Sequence, residues 1–163
     1  MIGDANISAR ETASFTRRTL IGASAAFGLF AEAARAQQSF DVAAYAGKVL
    51  YLDFWASWCG PCQLSFPYMR HLLTTYGQTD FALTAINVDH DRASANAFLQ
   101  RFGAGVPIVF DPSGSIARRY QVKSMPTSIL FGRDGRARFV HDGFNASDIS
   151  TYDNHILELL HES

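Results

Sequence analysis

The feature that most constrains the fold of this chain is an apolar strand that leads into a cysteine pair and then into a helix. Residues 49–55 form a near-continuous apolar run with one acid, Asp53, which is typical of a strand covered on both faces. Apolar residues recur at roughly helical spacing over residues 64–76. Between the two lie Cys59 and Cys62. A strand that passes into a helix in this way predicts a βαβ unit and a parallel sheet.

The remaining hydrophobic patterns predict alternating strands and helices. Predicted strands cover residues 49–55, 81–89, 106–110, 127–131 and 136–140. Predicted helices cover residues 64–76, 93–102, 115–120 and 148–161. The order β-α-β-α-β-α-β-β-α predicts an α/β fold with a largely parallel sheet covered on both faces. Residues 132–135 carry Asp-Gly turn chemistry, so the last two strands are expected to form a hairpin that adds antiparallel edge strands.

Composition restricts the class of protein. The chain has 163 residues, 48% hydrophobic and 18% charged, which fits one globular domain with or without a processed segment. A formal net charge of −1 gives no indication of binding to nucleic acid or to an anionic membrane. The two cysteines are too few for a disulfide-dense scaffold or an all-cysteine zinc site.

Residues 1–36 have the layout of an export signal. Paired arginines at 17–18 precede an uncharged apolar segment, residues 20–31, which is shorter than the roughly 20 residues that span a bilayer. An A-x-A pattern predicts cleavage after Ala36 and a mature domain of residues 37–163 in the periplasm, although a leader kept as an anchor remains open. The arginine pair resembles the twin-arginine export signal of bacteria. The alternative is a general secretion signal with two chance arginines.

The cysteine pair has the spacing and position for thiol–disulfide chemistry. Cys59 is expected at a helix N-terminus, where free N–H groups and the helix dipole stabilise a thiolate. Cys62 follows about one turn later, within disulfide reach, so one sulfur can attack a substrate disulfide and the other can resolve the mixed disulfide. Pro61 fits this interpretation because the first helical positions tolerate a missing N–H.

Three other interpretations of the pair fit the sequence less well. A zinc half-site needs further ligands at matching spacing, and the sequence has no second pair. Haem attachment needs a histidine after the second cysteine, where Gln63 stands. A purely structural disulfide would close too small a loop to add much stability. The chain's histidines are scattered, so no metal and no cofactor is predicted. The one cluster that merits a test for metal binding is His90 with Asp89 and Asp91.

Several segments resemble the thioredoxin family. Residues 53–62, DFWASWCGPC, are similar to the thioredoxin active-site segment almost residue for residue. Pro67 matches the proline that kinks the active-site helix of that family, and residues 125–127 resemble its cis-proline loop. Residues 91–120 are similar to the central insert of the exported TlpA/ResA-type members. The resemblance covers residues 39–161 and implies a thioredoxin fold, a mixed central sheet flanked by helices, with a central α/β insert.

The resemblance also implies roles for the motif residues. Cys59 would be the attacking thiolate and Cys62 the resolving thiol. Pro126, with a cis peptide bond, would lie against the disulfide, and the backbone of Met125 would pair with an extended substrate peptide. The alternative for Pro126 is a trans proline in an ordinary loop.

Asp53 is the acid inside the first strand. Burial is expected to raise its pKa, so that it could carry a proton to or from Cys62. The alternative is a buried carboxyl held by hydrogen bonds without a catalytic part. Thioredoxins usually place a lysine near this acid, whereas the matching position here is Ala85. Loss of that cation is expected to leave Asp53 more strongly perturbed.

The residues around the cysteines suggest how a substrate binds and which way electrons flow. Trp55 is expected to pack in the core, and Trp58, Gly60 and Pro61 are expected to line the surface that meets the substrate. In the family the dipeptide Gly60-Pro61 accompanies low reduction potentials, which implies a reductant.

The resemblance therefore implies an exported thiol–disulfide oxidoreductase that reduces protein disulfides. Implied substrates are the cysteines of apocytochrome c or of a copper site in oxidase assembly, with a membrane partner as electron donor. A monomer without nucleic-acid partners is expected. Two alternatives stay open: an oxidase or isomerase of exported proteins, and a dithiol module that carries Cu(I), for which thiolates are suitable ligands.

Overall fold

The computed structural model describes residues 40–77 and 80–162. The strands are β1 (Val49–Trp55), β2 (Phe81–Asn87), β3 (Ile108–Phe110), β4 (Thr127–Phe131) and β5 (Ala137–Asp142). The helices are α1 (Cys62–Tyr76), α2 (Arg92–Phe102), α3 (Ser115–Arg119) and α4 (Ile149–His161). Short 3-10 turns cover Val42–Tyr45 and Ala146–Asp148. The predicted order of strands and helices is confirmed, and the predicted leader of residues 1–36 lies outside the described residues.

The strands form one mixed sheet in the order β3-β2-β1-β4-β5. β1, β2 and β3 run parallel, while β4 is antiparallel to both β1 and β5. The expectation that both hairpin strands lie at the sheet edge is wrong for β4, which pairs with β1 in the interior. Every residue of β4 is buried, whereas β5 alternates between exposed and half-buried positions. An apolar strand such as β4 gains more from coverage by neighbours, so the half-exposed β5 takes the edge.

Alternate residues of β1 face two separate apolar layers, and all seven residues of the strand are buried. On one face, Tyr51 and Trp55 join the cluster that contains Cys59, Cys62 and residues of α1 and α4. On the other face, the even-numbered residues join a second cluster, which contains Phe40, Leu50, Leu52, Phe54, Ile116 and Phe131. Because side chains alternate along a strand, Asp53 shares the face of Tyr51 and Trp55, which is the face that carries the cysteines.

The segment predicted as a central insert builds one edge of the sheet. It supplies α2, the short edge strand β3 and α3. Asp91 caps α2 through the amides of Ala93 and Ser94, and the Asp111 carboxylate accepts the first amides of α3. Among the described residues, no helix is long and apolar enough to cross a membrane.

Candidate active site

The two cysteines form a disulfide in the loop between β1 and α1. Their Cα atoms lie 5.3 Å apart. The amide of Cys59 donates to the carbonyl of Ala56 over 3.1 Å, which closes the turn ahead of the pair. Cys59 is 4% exposed and Cys62 is fully buried. A partner sulfur therefore reaches Cys59 before Cys62.

The sulfur of Cys59 lies at the amide end of α1. The helix begins at Cys62, with Pro61 as its N-cap residue. The backbone N–H of Cys62 donates to Sγ of Cys59 over 3.2 Å. Unpaired amides and the helix dipole both favour negative charge at this position. The geometry therefore stabilises a thiolate at Cys59 when the disulfide is open.

The loop that carries the cysteines is held by Asp89, which follows β2. Asp89 is buried, and its Oδ2 accepts hydrogen bonds from the amide of Ser57 (2.9 Å) and the side-chain amide of Asn87 (2.8 Å). Its Oδ1 accepts the hydroxyl of Ser57 at 3.0 Å. The sequence pattern indicates Asp89 only as a candidate metal ligand. Its position after a parallel strand is the sequence feature that could have predicted its contact with the cysteine loop, because the carboxyl ends of β1 and β2 meet at one sheet edge.

The acid–histidine–acid cluster does not form a metal site. Asp89 holds the Ser57 loop, and Asp91 caps α2. The Nδ1 atom of His90 lies 2.8 Å from the carbonyl oxygen of Pro112. Each of the three side chains is thus held by a different part of the chain. Within residues 40–77 and 80–162, no group of three or more potential metal-binding side chains converges.

Asp53 is a buried carboxyl on the cysteine-bearing face of β1. Burial raises its pKa well above its usual range, and its Oδ2 has no hydrogen-bond partner in the part of the chain that the structure describes. Its neighbours across the sheet are Ala85 on β2 and Ser128 on β4. Ala85 therefore lies beside the acid, where the resemblance to thioredoxins predicts that a lysine is replaced. The Nε1 atom of Trp55, two residues further along the same face, is also buried without a partner within residues 40–77 and 80–162.

The two tryptophans occupy opposite environments, as the sequence predicts. Trp55 is buried, with ring centroids 5.0 Å from Phe66 and 4.8 Å from Phe98. Trp58, next to Cys59, is 72% exposed. The Trp58 indole therefore offers apolar surface beside the disulfide.

The loop before β4 presents an unpaired backbone. The Met125–Pro126 peptide bond is cis. The carbonyl of Pro126 accepts the amide of Gly143 over 2.7 Å. Among the described residues, neither the amide nor the carbonyl of Met125 has a hydrogen-bond partner. Those two groups are available to an extended chain.

Gly60 and Pro61, which are predicted to meet the substrate, are exposed, and a Cβ atom at Gly60 would meet no other atom of the described residues within 4 Å. A further feature of the site surface was not predicted. An open apolar groove of about 450 Å³ begins beside Leu64, which is 59% exposed. The groove is lined by Leu64, Pro67, Tyr68, His71, Phe144, Ala146 and Ile149.

Comparison with known proteins identifies relatives of the same architecture. A family model described as Redoxin matches residues 13–156. The thiol-disulfide oxidoreductase ResA of Geobacillus kaustophilus is 34% identical over 99 residues, which cover 61% of this chain and 57% of that protein. ResA of Bacillus subtilis is 31% identical over 90 residues, covering 55% and 50%. The chain thus spans about half the length of these curated relatives.

A crystal structure from Chlorobium tepidum, described as a thiol:disulfide interchange protein DsbE, is also similar. It superimposes with a TM-score of 0.71 at 41% identity, covering 73% of this chain and 84% of that one. This similarity confirms the predicted fold class, a mixed central sheet flanked by helices.

Proposed function

The chain belongs to the redoxin family and has a thioredoxin fold, and we propose that it is a thiol–disulfide oxidoreductase that works through Cys59 and Cys62. The observation that carries the proposal is the contact between the Cys62 amide and the Cys59 sulfur at the start of α1. It favours an ionised Cys59, which is the nucleophile that this chemistry requires. The names of the ResA relatives support the same class of reaction.

The reaction starts from the reduced pair. The Cys59 thiolate attacks one sulfur of a substrate disulfide, forms a mixed disulfide and expels the other substrate sulfur as a thiolate. Cys62 then gives its proton to the Asp53 carboxylate and attacks Sγ of Cys59. The second substrate sulfur leaves as a thiolate, and the Cys59–Cys62 disulfide remains. Two electrons thus pass from the dithiol to the substrate.

Asp53 is the proposed proton acceptor for Cys62. Both side chains are buried on the same face of the sheet, and burial raises the pKa of Asp53. A carboxyl with a raised pKa exchanges protons closer to neutral pH than an ordinary one, which suits it to general acid–base work. The contact of α1 with this face of β1 supports the assignment.

Substrate recognition is proposed to use main-chain hydrogen bonds. The unpaired amide and carbonyl of Met125 would bond an extended peptide beside Pro126, a form of β-augmentation. The exposed residues Trp58, Gly60 and Pro61 would form the surface on the other side of the sulfurs. Such a site favours unfolded or extended cysteine-containing segments over a particular sequence.

The direction of exchange is proposed to be reduction of exported proteins. The Gly60-Pro61 dipeptide supports a potential closer to the thioredoxin value of about −270 mV than to the isomerase value of about −180 mV. The signal-like layout of residues 1–36 supports export to the periplasm. In an oxidising compartment a membrane partner must resupply electrons. Apocytochrome c cysteines or copper-site cysteines of an oxidase are the proposed substrates.

Trapping tests this proposal. Cys62→Ser removes the resolving thiol, so a mixed disulfide is expected to accumulate on Cys59 and to identify the substrate by mass. Cys59→Ser is the matched control and is expected to trap nothing. Capture by Cys59→Ser instead would reverse the roles, and capture by neither would contradict the function. Reduction of insulin, compared with refolding of scrambled ribonuclease, separates a reductant from an isomerase.

A further inference from the structure

A line of polar side chains crosses the sheet from Asp53 towards the surface. Asp53 on β1 lies opposite Ser128 on β4, and Ser128 lies opposite His141 on β5. Directly opposed residues of antiparallel strands point to the same face, with Cβ atoms about 4.5–5.5 Å apart. The three side chains therefore lie in a row on the face that α1 and α4 cover.

The row continues through hydrogen-bonding contacts to α4. The hydroxyl of Ser128 lies 3.4 Å from Nδ1 of His141. Nε2 of His141 lies 2.9 Å from Nδ1 of His155, a residue of α4. Both ring nitrogens of His141 are thus used within the row. The row ends at the half-buried ring of His155, which stacks on Phe139 with centroids 3.9 Å apart.

Tyr51 is a further polar side chain at the inner end of the row, near Asp53 and Ser128. Burial raises the pKa of the Tyr51 phenol, and the charge of Asp53 raises it further. A hydrogen bond with Ser128 acts in the opposite direction. Tyr51 therefore lies within reach of both Ser128 and the field of the carboxyl. No lysine is available at this end, because Ala85 occupies the neighbouring position on β2.

The charge state of His141 suits proton transfer. The pKa of His141 is lowered to about 4, mainly by burial and to a smaller extent by the charge of the neighbouring His155. A neutral imidazole accepts a proton at one nitrogen and releases one from the other. The titratable groups that face this region from the packed elements are Tyr51 and Asp53 on β1, Tyr68 on α1, and Tyr152, Asp153 and His155 on α4.

We propose that Ser128, His141 and His155 carry the proton that Asp53 takes from Cys62 out to solvent. This inference rests on the proposed function. The Cys62 thiol gives its proton to the Asp53 carboxylate as its sulfur attacks Cys59. The Ser128 hydroxyl then turns towards Asp53, takes that proton and passes its own to Nδ1 of His141.

The outward transfer ends at the surface of α4. His141 releases the proton from Nε2 to Nδ1 of His155, and His155 releases one from its own Nε2 to water. The same steps run inward when the disulfide is reduced again. Each relay side chain ends with the number of protons that it had at the start, so the net change is one proton moved from Cys62 to solvent. All three are proton-transfer residues that act through Asp53.

The test separates the two chemical steps in the reduced protein. The alkylation rate of Cys59 reports the first nucleophile, and rapid-quench release of substrate from the mixed disulfide reports resolution by Cys62. Because positioned proton transfer contributes about 10²–10⁴-fold, His141→Gln, Ser128→Ala and His155→Ala are each expected to slow resolution at least about tenfold. Cys59 alkylation is expected to keep its wild-type rate. His161→Gln, which changes an exposed histidine at the end of the same helix, is expected to leave both rates unchanged.

Chemical rescue distinguishes proton transfer from a packing effect. Imidazole in the buffer is expected to restore resolution in His155→Ala, where the lost group is at the surface end, and to leave wild type unchanged. Wild-type resolution rates in all three variants would overturn the proton route. A slowed rate in His155→Ala that imidazole does not restore would also overturn it. A wild-type protein that forms no mixed disulfide at all would instead contradict the proposed function.

Discussion

The backbone amide of Cys62 donates a hydrogen bond to the sulfur of Cys59 over 3.2 Å. This contact aligns the more accessible sulfur with the positive end of the α1 dipole. It also leaves Cys62 fully buried behind it. The asymmetry between attack and resolution thus follows from where the helix begins.

Loss of the Asp89 carboxylate is expected to loosen the loop that carries Cys59. Asp89→Ala leaves the Ser57 amide and the Asn87 side chain without their partner. We expect the free energy of unfolding to fall by about 1–3 kcal/mol and the alkylation rate of Cys59 to change. Urea denaturation and timed alkylation measure the two effects. Asp91→Ala, which removes a helix cap elsewhere, is the control and is expected to lower stability while leaving the alkylation rate of Cys59 unchanged. A wild-type alkylation rate of Cys59 in Asp89→Ala would refute the role of Asp89 in holding the loop.

The raised pKa of Asp53 predicts how the free energy of unfolding changes with pH. Its folded pKa is raised, so the folded chain binds its proton more tightly than the unfolded chain does. Stability is therefore present at low pH and is lost as pH rises from the unfolded value of about 3.9 towards the folded value, by about 1.36 kcal/mol per unit. Asp53→Asn removes this loss, so the stability of the variant relative to wild type is expected to increase from pH 5 to pH 8.

Urea denaturation of the oxidised proteins at pH 5 and pH 8 measures this difference, with Asp91→Asn as the control. Hydrogen bonds from Ser94 and from the Ala93 amide lower the pKa of Asp91. Its contribution is present above the unfolded value and is lost only as pH falls below about 4. The Asp91→Asn difference is therefore expected to stay constant between pH 5 and pH 8. The same constancy in Asp53→Asn would contradict the perturbed state of Asp53.

The two tryptophans are expected to separate stability from recognition. Trp55→Ala removes a buried ring from the aromatic cluster with Phe66 and Phe98 and is expected to cost about 3–5 kcal/mol of unfolding free energy. Trp58→Ala alters an exposed side chain and is expected to stay within about 0.5 kcal/mol of wild type. Steady-state kinetics with a protein disulfide are expected to show a raised KM for Trp58→Ala. An unchanged KM would remove Trp58 from the substrate surface.

Gly60→His tests the control of reduction potential. The position has open space for a side chain, so the fold is expected to tolerate the change. An imidazolium beside Cys59 stabilises the thiolate and hence the reduced form. A tenfold shift in the equilibrium with glutathione would raise the potential by about 30 mV. The effect is expected to grow as pH falls below about 6.5, where the imidazole becomes charged. Gly60→Gln is the uncharged control, and an equal shift in both variants would contradict the electrostatic explanation.

The order of elements and the position of the cysteine pair were predictable because they depend on local patterns. The apolar run of β1, the periodicity of α1 and the Asp-Gly turn each act within a few residues. The interior position of β4 was not predictable in this way. Which neighbour a hairpin strand joins is decided by burial across the whole sheet, as the pairing of Leu50 with Phe131 shows.

The parts of the site that the sequence did not predict depend on long-range register. Ser128, His141 and His155 are dispersed along the chain and meet only because β4 and β5 align and α4 covers them. His141 and His155 are isolated histidines in the sequence, without the spacing of a ligand pair. The sequence singles out Asp89 as a metal-ligand candidate because of its neighbours His90 and Asp91. Its hydrogen bonds to Ser57 join it to another loop, which sequence neighbours do not reveal.

The central claim is that Cys59 ionises near neutrality because it lies at the start of α1. The direct measurement is the pH titration of Cys59 in reduced Cys62→Ser, followed by thiolate absorbance and by alkylation rate. Helix N-termini lower thiol pKa values to about 3.5–7.5, and we expect the midpoint to fall within that range. A midpoint at the free-cysteine value of about 8.5 or above would contradict the account.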